Sequence, residues 1–141
     1  MLQEHLESST KFTFLFAMVR DLAHKHLQEK RIELLRNLSL FARENDAIPT
    51  LDTSIYAITY NAKLKDFIVS QLGSNFSPNI IYFNNKDVAY KAIETYKDDL
   101  DKIVYLADIV GRMGYKIPSE EYSPYTRSEL ISIYYKLSED K

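Results

Sequence analysis

The sequence predicts an α+β fold: an N-terminal helical pair, a three-stranded antiparallel sheet, a long helix and a short C-terminal helix. Three observations predict it. Apolar residues recur at three- and four-residue spacing across residues 9–44. Residues 54–72 switch to the two-residue alternation of strands and are rich in β-branched and aromatic side chains. The run Ile80-Ile81-Tyr82-Phe83 then reads as a short buried strand that passes straight into a helix with one apolar stripe.

In the first element, Phe12, Leu15, Phe16, Val19, Leu22, Ala23 and Leu27 form a stripe that resumes at Leu34, Leu35, Leu38, Phe41 and Ala42. Gln28, Glu29, Lys30 and Arg31 interrupt it with charge, which predicts two helices with a bend near Glu29. Asn45 and Asp46, followed by Pro49, mark the exit. The sheet segment (54–83) starts as a hairpin. Tyr56, Ile58 and Tyr60 alternate with Ile55, Ala57 and Thr59, Asn61-Ala62-Lys63 supply a turn, and residues 64–72 return. Residues 73–79 read as a loop, and a third strand makes the sheet viable where a lone hairpin is marginal.

A helix over 84–113 follows, with Asn84 as its N-cap and a staple between Phe83 and Val88. Its stripe comprises Val88, Ala89, Ala92, Ile93, Tyr96, Leu100, Ile103, Val104, Ala107 and Val110, with a possible break where Asp98 and Asp99 cap Leu100. Gly114 suits the left-handed residue after a helix end. Thr126 and Glu129 form a capping box for the last helix, 126–137, with Tyr125 and Leu130 as its staple.

Length and composition bound the function. At 141 residues the chain reads as a single domain, 1–141, able to bury a core without a disulfide or metal. It has no cysteine, so thiolate metal sites and disulfides are excluded, and a cytoplasmic location is expected. No apolar run approaches the roughly 20 residues a membrane span needs. Glu4, His5 and Glu7 ahead of the apolar Phe12–Val19 stretch argue against a signal peptide.

Catalytic and cofactor patterns are weak. His24 and His26 project about 200° apart on a helix and cannot close on one ion. Asp98 with Asp101, and Glu120 with Glu121, read as solvated acidic faces. Three glycines form no phosphate loop, and serine has no nucleophile-elbow context. The expectation is a non-enzyme with no cofactor and no metal.

The segment from Gly73 to Leu100 carries Ile81, Tyr82, Phe83, Asn84, Asp87, Ala89, Ala92 and Ile93. This pattern resembles the strand-to-helix module of small accessory proteins of phages and other mobile elements. The resemblance implies a setting in which host defence machines are the natural targets. A nuclease inhibitor of anti-CRISPR type is its concrete form.

Nine of the eleven tyrosines fall after residue 80, and residues 94–108 hold five acids against two lysines. Tyrosine is enriched at interface cores, and an acidic helix face suits a basic partner. The expected partner-binding residues are therefore Tyr90, Asp98, Asp101, Tyr105, Tyr115, Tyr122, Tyr125 and Tyr135, meeting a host or viral protein. The alternatives are a single-stranded nucleic-acid binder stacking bases on Tyr56, Tyr60, Tyr82 and Phe67, and an oligomeric or virion component. Against nucleic acid, no segment is basic: residues 1–47 carry seven cations and seven acids, and 85–141 nine and eleven.

Overall fold

A computed structural model describes residues 11–50, 52–72 and 81–139. Its order is α1 (Phe12–Glu44), β1 (Ile55–Asn61), β2 (Asp66–Leu72), β3 (Tyr82–Phe83), α2 (Lys86–Thr95), α3 (Lys97–Met113), a 3-10 turn (Glu120–Tyr122) and α4 (Arg127–Glu139). This is the expected α+β arrangement with a three-stranded antiparallel sheet. The expected loop at 73–79 lies outside the described residues.

The chain forms two compact units. One comprises the residues up to Glu29 and those from Lys102 onward; the other is Lys30–Asp101. The expected helical pair is instead one unbroken helix of 33 residues. The predicted bend near Glu29 marks a change of packing unit and leaves the helix intact. Lys30 explains why charge on the apolar stripe is tolerated: its ammonium lies 3.0 Å from Asp99 Oδ1 and 3.6 Å from Glu33 Oε2 while its stem is largely covered. These carboxylates hold the Lys30 pKa above its ordinary value, chiefly through the Asp99 hydrogen bond.

The first unit is a three-helix core. Phe12, Leu15, Phe16, Val19, Ala23 and Leu27 of α1 meet Leu106, Ile109 and Met113 of α3, and Leu130, Ile131 and Leu137 of α4. Leu106, Ile109 and Met113 lie off the single stripe expected for 84–113. The helix breaks at Tyr96, two residues before the expected point, yet the stripe runs on past it. Leu100 is buried, and Ile103, Ala107 and Val110 pack on the first unit's core, so α3 buries a wider face than one stripe. Asp98 and Asp99 consequently lie in the first turn of α3, favourably placed on its dipole, and are not caps.

In the second unit, α1 ends in a Schellman cap. Asp46 takes a left-handed φ of 51°, Ala47 N–H donates to Ala42 O at 2.8 Å and Asp46 N–H to Arg43 O at 3.2 Å. β1 is the central strand, between β2 and β3. Tyr56, Ile58 and Tyr60 pair with Gln71, Val69 and Phe67 on one face, while Ala57 and Thr59 pair with Ser70 and Ile68 on the other.

The hairpin turn spans residues 62–65, one longer than expected. Asn61 stays in the strand, its side chain accepting from Lys63 N–H and Leu64 N–H, and Lys65 takes the positive φ of 52°. The N-cap of α2 is Asn85, not Asn84. Asn85 Oδ1 accepts from Asp87 N–H and Val88 N–H at 2.9 and 3.1 Å. Asn84 is committed elsewhere, donating its N–H to Ala47 O and its side-chain amide to Ile48 O. With the cap one residue later, Phe83 no longer holds the staple position. It is buried in the core and pairs with Tyr56. Among the described residues no helix is long and apolar enough to cross a membrane.

Candidate protein-binding surface

The connection from α3 to α4 is polar, short of regular structure, and fastened at several points. Gly114 ends α3 with a φ of 66° and donates its N–H to Val110 O. A side chain is strained at that φ, so glycine belongs there. Arg20 of α1 donates from Nη1 to Tyr115 O at 3.0 Å, pinning the backbone while the Tyr115 ring stands 92% exposed. Ile117 packs back onto the core.

The 3-10 turn follows, and Arg127 grips Glu120 through two contacts, Nη2 to Oε1 at 3.1 Å and Nε to Oε2 at 3.3 Å. Tyr122 rides on this turn, 78% exposed. Ser123 closes the segment by donating its hydroxyl to Tyr125 O and accepting from Tyr125 N–H. The expected capping box forms: Thr126 N–H donates to Glu129 Oε1 at 2.9 Å, and Glu129 N–H to Thr126 Oγ1 at 3.1 Å. Those bonds favour the charged carboxylate and lower the Glu129 pKa below the ordinary 4.5.

Beside this connection a groove of about 350 Å³ opens between α3 and α4. Tyr105, Asp108, Ile109 and Arg112 line it from α3, and Glu129, Ser132 and Ile133 from α4, with Tyr125 between. Arg112 Nε lies 3.0 Å from Asp108 Oδ2. Lys136 places its ammonium 4.2 Å from the centre of the Tyr105 ring, a cation–π contact. Burial raises the Tyr125 phenol pKa, so that group stays a neutral donor.

The eight sequence-predicted residues fall into four sets. Tyr115 and Tyr122 are fully presented, and Tyr105 and Tyr125 share the groove while also packing on the core. Tyr135 stacks edge-on with Tyr134 and packs on the same core. Tyr90, Asp98 and Asp101 belong to the Lys30–Asp101 unit. There Tyr90 is 43% exposed, and Asp101 pairs with Lys97 at 3.1 Å.

Sequence reasoning did not single out Arg20, Ile109, Arg112, Arg127, Ser132, Ile133 or Lys136. The two clamping arginines act across 95 and 7 positions of sequence, and only the shorter link leaves a local signal. Comparisons with protein-family models, with curated proteins and with solved structures return no match for this chain.

Proposed function

We propose that the protein acts by binding another protein, without catalysis, through the α3–α4 connection. The observation that carries this is the pair Tyr115 and Tyr122, exposed on backbone that Arg20 and Arg127 fasten. A large apolar ring held in water on ordered backbone forgoes burial in the free protein and loses little conformational freedom on docking. Tyrosine offers rigid contact area with a polar tip, the chemistry of an interface anchor. In the phage or mobile-element setting suggested by the Ile81–Ile93 module, the partner is a host defence nuclease in the cytoplasm and the outcome is its inhibition.

The sheet supports the nucleic-acid alternative less well. Lys97 already sits 5.3 Å from the centre of the Phe67 ring, and Tyr60 packs against that ring at 5.2 Å. Immobilised wild-type protein and the double variant Tyr115→Ser/Tyr122→Ser, compared on defence-encoding host lysates, test the proposal. The expected result is a nuclease component captured by wild type alone and inhibited by it on addition of the purified protein. Equal capture by both proteins overturns the tyrosine surface, and capture without loss of nuclease activity overturns inhibition.

A further inference from the structure

We infer that the α3–α4 groove is a subsite for a basic side chain, arginine or lysine, of the bound protein. The inference rests on the protein-binding reading above and supplies the partner's chemistry. Such a side chain has an apolar stem and a cationic head, and the groove offers a match for each part. Ile109 and Ile133 provide apolar wall, Tyr105 and Tyr125 provide rings, and Asp108 and Glu129 bring carboxylates from two different helices. The volume, about 350 Å³, falls in the range of small-ligand sites.

The chain's own cations already use these groups. Arg112 lies against Asp108, and Lys136 stands over Tyr105. Arg112 is 60% exposed, so it holds its carboxylate loosely and competes with an incoming guanidinium without sealing the groove. Arg112 and Tyr115, and likewise Tyr122 and Tyr125, are three residues apart. The exposed rings therefore attach within roughly 10 Å of chain from the groove, close enough to act on one bound segment.

Titration with N-acetyl-arginine amide, followed by NMR of the Ile109 and Ile133 methyl groups, tests the subsite without any partner. N-acetyl-norleucine amide supplies the stem without the charge. Saturable shifts are expected for the arginine probe only. Arg112→Gln, which removes the competing cation, should tighten binding by up to about fivefold, the factor an exposed ion pair commands. Glu129→Gln should weaken it by a similar factor, and glutamine still serves in the capping box, so the fold is preserved.

Equal shifts for both probes, no saturation, or weaker binding in Arg112→Gln overturns the subsite. None of these results touches the tyrosine test. If capture through Tyr115 and Tyr122 persists while the groove is silent, only the subsite fails. If the groove responds while the tyrosine double variant captures normally, the surface reading fails and the subsite stands.

Discussion

Two glycines three residues apart should respond in opposite senses to the same substitution. Gly111 lies inside α3, and a Cβ there meets nothing within 4 Å. Gly111→Ala should therefore stabilise the protein by about 0.5–1 kcal/mol through helix propensity alone. Gly114 has equally open surroundings but a φ of 66°, so Gly114→Ala should destabilise it by about 1 kcal/mol with no steric clash involved. Urea denaturation of the two variants reads both signs.

The capping box gives a third test. Thr126→Ala should cost about 1 kcal/mol. Glu129 has a folded pKa below its unfolded one, so its contribution is present above about pH 4.5 and fades as pH falls through the lower folded value. Wild type should accordingly lose more stability than Glu129→Gln on acidification below about pH 4.5, in thermal melts across that range.

Among the elements, the helix that breaks at Tyr96 carries the clearest lesson. Periodicity over 84–113 correctly shows helix, and Ala89, Ala92 and Ile93 are buried as it implies. It cannot show the break, because Tyr96 is as good a stripe residue as any. The break shows only in the backbone at Tyr96, whose ring meets Phe41, 55 positions earlier, edge-on at 5.9 Å. Beyond that point the stripe continues through Leu100, and α3 adds a second buried row, Leu106, Ile109 and Met113, of which Leu106 is fully buried. Leu106→Ala should cost about 2–5 kcal/mol, against well under 1 kcal/mol for the exposed Ile32→Ala, by chemical denaturation.

The capping box was legible because both its partners lie within four residues. The Asn84 and Asn85 assignment was not, since two adjacent asparagines are equivalent until Ala47 and Ile48 claim one of them. Of the late tyrosines the sequence showed only an excess of rings. Their division into presented, groove-lining and core-packed sets depends on side-chain direction, which spacing alone does not give at an irregular connection.

For the whole molecule, the division at Glu29 and Asp101 assigns the proposed binding machinery to one compact unit. On the proposed reading, Tyr90→Ala, in the other unit, should leave partner capture unchanged, whereas Tyr115→Ser/Tyr122→Ser should abolish it. Affinity capture on the same lysate measures both. The acidic residues of 94–108 divide the same way, with Asp101 engaged by Lys97 and Asp99 by Lys30. Those acids largely serve the unit that holds the sheet, and Asp108 alone of the five reaches the groove.

Among the described strands β2 occupies one margin of the sheet, and after Asp66 its residues Phe67 to Leu72 bear no charge. Natural sheets discourage strand-to-strand templating at such margins with lysine, proline or a bulge. Lacking the first two, this strand is the place where concentrated or partly unfolded protein should begin to form fibrils, with an uncharged six-residue run as the seed. Gln71, exposed on that strand, is the position at which a single lysine would act as gatekeeper and keep the protein dispersed during storage.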